Sequence, residues 1–481
     1  MNGSRITAKL FVAALAVLCV SSGCAHSAAI PQYSQRAPDR ISLHAMTALG
    51  PAKSGGLLTW MSVPPHNSWD GNPEVGTMLD FGVVDQSANA GPQSQRLVQI
   101  GVNAIEYTNP NRQAASGDPN PEYTDDEQTF SHAADIAVRG NCVPEKHERL
   151  YRLNQATRYF QMQPDSLHLA QLWALEVFNF TAPIRPPKWQ WAFGGQRTYV
   201  FEDVADNVDS LNGMPCGFAN DDHWTALSIQ LLSNAGADYL VQFGQDMPGV
   251  IYNGLDPRMS SSIRPAIGMN ASPNVVGGVA ENCYVRASGS STIPVVDKSA
   301  DHAPWSALEN TEISMAQAGK LFICLGQAPV GRDASRLTRE RLYQVASFLL
   351  TVDLNTSVFG EAYPTKSDFQ VFPESQIVPA NPVVPQPASI SGLVIASSGG
   401  SDLYGREYGS CPVDGVVFPK CYIVVNPSAS AIPFHWPAKY VSTIKIWGSD
   451  ILDTPAWIST SGPRPAAVVG AGTAVIALSR R

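Results

Sequence analysis

Short apolar segments alternate with helical segments from about residue 57 onward. Near-continuous apolar strands that alternate with helices are typical of a parallel sheet covered on both faces. The predicted strands are Leu57–Val63, Val102–Tyr107, Tyr159–Gln163, Thr198–Asp203, Gly249–Asn253, Val275–Glu281, Leu321–Leu325 and Ser357–Gly360. The clearest predicted helices are Leu167–Phe180, Asp222–Ala235, Trp305–Gly319 and Ser335–Val352.

The number and order of these segments favour one architecture. Eight strand–helix units over roughly 300 residues fit a (β/α)8 TIM barrel better than an open sheet. We therefore predict an α/β fold in which residues 51–375 form the barrel. Residues 108–158 are long and acidic, and they give the least definite element boundaries.

The pattern changes after about residue 370, where helical periodicity ends. Ile377–Pro387 is rich in proline and resembles an extended linker. Short β-type runs separated by turn residues follow it, namely Leu393–Ala396, Val416–Phe418, Tyr422–Val425, Val441–Ile446 and Ala467–Leu478. We therefore predict a small all-β domain, β-sandwich-like, over residues 376–481.

The composition restricts the class of protein. The chain has 481 residues, of which 44% are hydrophobic and 15% are charged. That apolar content suffices for a core, which excludes wholesale disorder. The net charge is −9 at pH 7 and there is no run of Lys and Arg, so a nucleic-acid partner is not expected.

The first residues resemble an export signal. Arg5 and Lys9 form a basic region, and Leu10–Val20 forms an apolar run that is too short to span a bilayer. Small residues then lead to Cys24, as in a bacterial lipoprotein signal, although Ser21 stands where that signal usually has leucine.

We therefore predict a signal peptide over residues 1–23 and a polar tether over residues 24–50. Lipidation of Cys24 would anchor the exported protein to the membrane of the cell envelope. Free secretion to the extracellular space is the alternative.

Export places the remaining cysteines in an oxidising compartment, where an even number indicates disulfides. Cys411 and Cys421 are close in sequence and flank a predicted hairpin, so we expect a disulfide between them. No CxxC or HxxxH spacing is present, so neither a metal site nor another cofactor is expected. The cysteines beyond Cys24 are Cys142, Cys216, Cys283, Cys324, Cys411 and Cys421.

Five local motifs follow one another along the predicted strands. They are RYFQMQPDS at 158–166, TYVFEDVADN at 198–207, GVIYNGL at 249–255, GGVAENCY at 277–284 and YGREYGSCPVDGVVFPKCYIVVNPS at 404–428. In this order and spacing they resemble uncharacterised bacterial glycoside hydrolase-like families built on a TIM barrel with a C-terminal β-domain. The resemblance covers most of residues 57–428, and it implies an essential aspartate at the fourth strand end and a glutamate at the sixth. Residues 108–158 and Pro183–Trp191 depart from it.

Two carboxylates fall where a TIM barrel places its chemistry. The active site of such a barrel lies at the carboxyl-terminal face, built from strand ends and the loops that follow. Asp203 ends the predicted fourth strand and Glu281 the sixth. Glycosidic bonds are commonly cleaved by two carboxyl groups, so we assign Asp203 as nucleophile or base and Glu281 as general acid. Strand alternation puts Glu202 on the opposite face.

Other polar and aromatic residues near strand ends are candidates for binding sugar hydroxyls or sugar rings. Asp165 and Asp206 can equally cap a helix or order a loop. Trp305, where the loop meets the predicted helix Trp305–Gly319, can stack on a sugar or belong to the core. The predicted substrate-binding residues are Glu106, Tyr107, Asp165, Asp206, Asn253, Trp60 and Glu361.

Two functional hypotheses follow. The first is an exported glycoside hydrolase that acts on a polysaccharide or oligosaccharide. The second is a non-catalytic glycan-binding surface lipoprotein on the same fold, because a barrel does not imply activity. The sequence contains no GxSxG, P-loop or strand-borne GxGxxG motif, which disfavours serine hydrolases and nucleotide enzymes.

Overall fold

The computed structural model describes a series of segments within residues 57–481. The described residues are 57, 59–63, 83–86, 104–107, 112–114, 151–154, 157–161, 166–181, 200–202, 221–244, 246–247, 249–253, 255, 275–281, 283–288, 291–297, 304–327, 334–362, 373–447 and 457–481. The predicted signal peptide, Cys24 and the tether lie outside them. Among these described segments, no helix is long and apolar enough to cross a membrane.

The described strands before residue 370 fall into three sheets. Eight of them form one sheet in the order β1-β2-β3-β7-β8-β9-β12-β13, and every neighbouring pair in it is parallel. Their bounds are β1 Trp60–Val63, β2 Val83–Gln86, β3 Ala104–Tyr107, β4 Arg112–Ala114, β5 Tyr151–Asn154, β6 Thr157–Gln161, β7 Val200–Glu202, β8 Val250–Asn253, β9 Val275–Glu281, β10 Val285–Ser288, β11 Ser291–Pro294, β12 Leu321–Gln327 and β13 Ser357–Ala362. Because the eight strands are parallel, their carboxyl ends share one edge of the sheet.

The two outer strands of this sheet are also joined. Thr59, directly before β1, forms a parallel bridge with Phe359 of β13. The parallel α/β sheet expected from the sequence is therefore present, and its first and last strands are neighbours.

In the part of the chain that the structure describes, four helices accompany the parallel strands. Three of them match the predicted bounds to within two residues, whereas the helix predicted as Asp222–Ala235 continues to Phe243. The four are α1 Leu167–Thr181, α2 Asp221–Phe243, α3 Pro304–Gln317 and α4 Ala334–Thr351. Asp297 accepts hydrogen bonds from the backbone N–H groups of Trp305 and Ser306, so it caps α3 from outside the helix. Gly319, with φ of 66°, follows the end of α3 in the left-handed conformation typical of a helix end.

The predicted second strand, Val102–Tyr107, belongs to the sheet but is its third strand, β3, and the predicted third strand was wrong. The second strand is β2, within the run FGVVDQ, and the segment predicted as the third, Tyr159–Gln163, contributes instead to β6. β6 pairs antiparallel with β4 and β5 in a separate three-stranded sheet. The physical reason is composition: a strand buried on both faces is a near-continuous apolar run, whereas Thr157, Arg158 and Gln161 make β6 half polar.

The residues after 370 form mainly antiparallel strands. Seven of them make one sheet with the path β14-β16-β18-β24-β20, to which β15 and β17 add by pairing with β16. The predicted β-type runs coincide with β15, β17, β18, β20, β21, β23 and β24, whereas β14, β16, β19 and β22 were not predicted as strands. The strands are β14 Ala380–Pro382, β15 Val394–Ser398, β16 Ser401–Val413, β17 Val416–Phe418, β18 Cys421–Asn426, β19 Ile432–Pro433, β20 Tyr440–Thr443, β21 Lys445–Trp447, β22 Trp457–Ser459, β23 Val468–Val469 and β24 Thr473–Ser479, with 3-10 turns at Pro373–Gln376 and Ile390–Leu393.

This antiparallel sheet packs directly on the helices α3 and α4. The Tyr408 hydroxyl donates to the Leu349 carbonyl at 2.6 Å, and the rings of Trp305 and Tyr404 lie 4.9 Å apart. Buried side chains from the helices and from this sheet belong to one continuous apolar cluster. Trp305 is therefore a core residue in the first turn of α3, and its ring is not exposed for stacking on a sugar.

The proline-rich segment is extended, as predicted, but it is a strand of the sheet. Ala380 and Pro382 of β14 stand opposite Ser410 and Tyr408 of β16. Pro382 suits this place because β14 lies at the end of the strand path, where a missing N–H breaks no ladder.

Candidate active site

Glu281 and Asn253 meet at the carboxyl edge of the parallel sheet. β8 and β9 are neighbours, and each ends in one of these residues. The Asn253 Nδ2 group donates a hydrogen bond to Glu281 Oε1 at 3.1 Å. Every residue of β9 before Glu281 is buried, whereas Glu281 and Asn253 are half-buried. The apolar run thus ends in a carboxylate that is held in place and still reaches solvent.

Two glycines allow β9 to approach its neighbours. A Cβ atom at Gly277 would lie 2.5 Å from the Cβ of Leu321 on β12. A Cβ at Gly278 would lie 2.8 Å from the side chains of Tyr252 and Leu255. The sequence VVGGVAE therefore suits a strand that delivers Glu281 to a tightly packed edge.

The backbone places three further candidates on the parallel strands. Glu106 and Tyr107 end β3, where they stand opposite Val200 and Phe201. Glu361 was predicted to follow the eighth strand, but it is the penultimate residue of β13, opposite Gly326.

Trp60 does not end a strand. It is the first residue of β1, whose carboxyl end is Val63. The prediction that grouped Trp60 with residues near strand ends was wrong, because the strand begins at Trp60 and continues to Val63.

Three candidates lie outside the described residues: Asp203, Asp206 and Asp165. Asp203 directly follows Glu202, the last residue of β7. The strand that precedes Asp165 belongs to the separate antiparallel sheet, so the predicted barrel-strand position of Asp165 was wrong.

The sequence reasoning missed the polar end of β2. Asp85 and Gln86 close this strand and stand opposite Ile105 and Glu106 of β3. An apolar run that ends in two polar residues is the same signal that identified the other strand ends, so the run FGVVDQ could have predicted them.

A disulfide lies just beyond Glu281. Cys283 is bonded to Cys324 of β12. The sequence left the partners of these two cysteines open. A second disulfide joins Cys411 and Cys421, which confirms the predicted pair.

A second pair of carboxyl groups is fully buried beside the parallel sheet. Glu309 and Glu312 of α3 have no solvent exposure. Thr351 Oγ1 lies 2.7 Å from Glu309 Oε2 and 2.8 Å from Glu312 Oε2, and the Ser357 hydroxyl donates to Glu312 Oε1 at 2.6 Å. The Tyr284 hydroxyl donates to Glu312 Oε2 at 3.4 Å. A polysaccharide cannot reach groups so enclosed, which makes this pair structural.

Burial controls the protonation of this pair. It raises the pKa of Glu309 well above its usual range, and the nearby charge of Glu312 adds to the effect. Burial also raises the pKa of Glu312, to about 8, although hydroxyl donors from Ser357 and Thr351 act in the opposite direction.

The described residues contain no group of three or more His, Cys, Asp and Glu side chains that could hold a metal ion.

The chain matches no protein-family model and no curated protein. It is similar to the glycoside hydrolase domain of PelA from Pseudomonas aeruginosa, with a TM-score of 0.37 and 10% identity over 63% of this chain and 95% of that one. It is similar to the isomalto-dextranase of Arthrobacter globiformis T6, complexed with panose, with a TM-score of 0.40 and 10% identity over 89% and 73%. The glycoside hydrolase domain of PgaB (BpsB) from Bordetella bronchiseptica gives 0.34 and 11% over 65% and 95%.

These structural neighbours are glycoside hydrolases.

Proposed function

We propose that the protein is an exported glycoside hydrolase that cleaves a polysaccharide or oligosaccharide with two carboxyl groups at the carboxyl edge of its parallel sheet. The observation that carries the proposal is the Glu281 carboxylate, half-buried at the end of β9 and held by the Asn253 amide. A carboxyl group that is fixed and accessible to solvent is what general acid or nucleophilic catalysis on a glycosidic bond requires.

The proposal includes a closed (β/α)8 barrel. The bridge between Thr59 and Phe359 supports closure, because it connects the two strands that an open sheet would leave as free edges. The carboxyl edge then becomes the face at which TIM-barrel enzymes carry their active sites.

Asp203 is the proposed partner of Glu281. It directly follows β7, and only β8 separates β7 from β9. Neighbouring strands lie about 4.8 Å apart, so the ends of β7 and β9 stand roughly 10 Å apart. Side chains that lean toward each other across that gap reach the roughly 5 to 9.5 Å that separates the carboxyl groups of glycosidases.

In this mechanism Glu281 protonates the leaving oxygen, and Asp203 attacks the anomeric carbon or activates water. Export rests on the N-terminal sequence, with Cys24 as the proposed lipid anchor. Polar residues at the ends of β2 and β3 are the proposed contacts to sugar hydroxyls.

The test measures release of reducing ends from a panel of polysaccharides by the wild type and three variants. We expect Asp203→Asn and Glu281→Gln each to lower kcat by at least about 1,000-fold while substrate binding persists, because each removes a group that acts in the transition state. The control is Glu407→Gln, a carboxylate held by Lys420 and Lys439 in the antiparallel sheet, which should retain wild-type kcat.

Turnover that survives both substitutions would show that the assigned pair is wrong. A wild-type protein that binds a glycan in the panel without cleaving it would support the non-catalytic glycan-binding function instead.

A further inference from the structure

The pairing of β9 with β12 ends at the residue that carries the proposed chemistry. Its last register pair is Glu281 with Leu325. Beyond a ladder's last pair, the backbone hydrogen bonds of the sheet no longer restrain the chain. Without a further restraint, the Glu281 backbone would be held only through the residues that precede it in β9.

That restraint begins two residues later. The Cys283 N–H donates to the carbonyl of Leu325 at 2.9 Å, the same residue that faces Glu281. The Cys283 side chain forms the disulfide with Cys324, the residue of β12 that directly precedes Leu325. The chain is therefore attached to β12 both before and after Glu281: by the hydrogen-bond ladder up to Glu281 and by the disulfide at Cys283.

Tyr284 adds a second anchor. It has φ of 60°, a left-handed conformation that is a genuine outlier for a bulky aromatic residue. Such backbone strain persists only where the surroundings over-determine it, and it concentrates at functional sites.

Contacts with its surroundings hold Tyr284 in this conformation. The ring is fully buried. The hydroxyl donates to Glu312, and the carbonyl accepts from the Val295 N–H at 2.7 Å. The tyrosine is thereby fixed at both its side chain and its backbone.

We propose that Cys283, Cys324 and Tyr284 are positioning residues that hold the Glu281 carboxyl group for cleavage of the glycosidic bond. This inference rests on the proposed function. They touch no substrate, and they act by fixing the backbone that carries Glu281. A displacement of about 1 Å in a catalytic group can lower the rate about 100-fold, whereas sugar binding by other strand ends does not depend on it.

The experiment compares two double variants that each remove one disulfide. We expect Cys283→Ala with Cys324→Ala to lower kcat by about 10- to 100-fold while KM changes by less than about twofold. A displaced Glu281 transfers its proton less well in the transition state, whereas the sugar contacts of the other strand ends remain. The matched control, Cys411→Ala with Cys421→Ala, should leave kcat unchanged.

Tyr284→Phe keeps the buried ring and removes only the hydroxyl. It should lower kcat about fivefold at unchanged KM, so it tests the anchor in a chain with both disulfides intact. Equal kcat in the wild type, this variant and the Cys283/Cys324 variant would overturn the inference.

Amide hydrogen exchange separates this inference from the proposed function. Peptides that cover residues 277–286 should exchange faster in the Cys283/Cys324 variant than in the wild type, and the Cys411/Cys421 variant should leave them unchanged. Unchanged exchange in the first variant overturns the positioning role, whether or not any glycan is cleaved. Faster exchange in a protein that cleaves no glycan would confirm the restraint and refute the glycosidase.

Discussion

Thr351 Oγ1 lies within hydrogen-bond distance of two buried carboxyl groups, Glu309 and Glu312. One hydroxyl proton can serve only one of them, so the other contact requires a proton on a carboxyl oxygen. A neutral carboxylic acid is thus part of the folded structure.

This pair predicts how stability depends on pH. The pKa of Glu312 is raised from its usual value near 4.5 to about 8, so its contribution is fully present below about pH 4.5 and is lost as the pH rises to 8. Each such group contributes about 1.4 kcal/mol per pH unit across that window. Glu312→Gln cannot ionise, so the decline of the free energy of unfolding between pH 5 and pH 8 should become shallower by about that amount.

Chemical denaturation at several pH values measures this slope. Glu407→Gln is the control: although partial burial opposes it, hydrogen bonds from Lys439 and Lys420 lower the pKa of Glu407, so this group stays ionised across the window. If the free energy of unfolding declines with pH as steeply in Glu312→Gln as in the wild type, the raised pKa of Glu312 is contradicted.

At the scale of elements, β9 is defined by how closely it approaches its neighbours. Gly277 and Gly278 have no side chain at the positions where Leu321, Tyr252 and Leu255 occupy the space. The strand that ends in Glu281 is therefore fixed by packing as well as by its hydrogen-bond ladder.

Gly277→Ala should therefore destabilise the protein by about 2 kcal/mol, because the new methyl group meets the Leu321 backbone oxygen at 2.8 Å as well as its Cβ. Gly470→Ala is the control, since its nearest neighbours are side-chain atoms of Thr473 at 3.3 and 3.4 Å. Thermal unfolding should separate the two variants. Equal midpoints would refute the tight approach of β9 to β12.

At the scale of the whole molecule, Arg406 connects the antiparallel sheet to α4. It is 2% exposed, and it donates to the carbonyls of Leu350 and Val384 and to the Gln386 side chain. Gln386 in turn donates to the Thr351 carbonyl at 2.7 Å. One guanidinium group thus joins the sheet, the proline-rich segment and the end of α4.

Arg406→Ala should lower the free energy of unfolding by about 3 kcal/mol, because it leaves buried acceptors without donors. The control is Arg336→Ala on α4, whose ion pair with Glu340 is partly exposed and is worth about 0.5 kcal/mol. Urea denaturation monitored by tryptophan fluorescence measures both. A loss for Arg406→Ala no larger than that of the control would show that this connection is dispensable.

The sequence by itself determined the elements that depend on local pattern. The four helices, the apolar strands from residue 250 to residue 360 and the disulfide between Cys411 and Cys421 all followed from periodicity or short spacing. It also placed Glu281 and Asn253 at the ends of strands, because a polar residue that ends an apolar strand is visible without knowledge of its neighbours. Local pattern suffices for such features, since the interactions that define them lie within a few residues.

Only the tertiary structure decided which segments pair and which polar groups are buried. It exchanged Tyr159–Gln163 for Val83–Gln86 as a strand of the parallel sheet, and it joined Cys283 to Cys324 across 41 residues. Glu309 and Glu312 occupy the i+4 and i+7 positions of the buried helix face that begins at Trp305, yet their charge predicts exposure to solvent. Their burial depends on hydroxyl donors from Thr351, Ser357 and Tyr284, and chain folding alone brings these groups together.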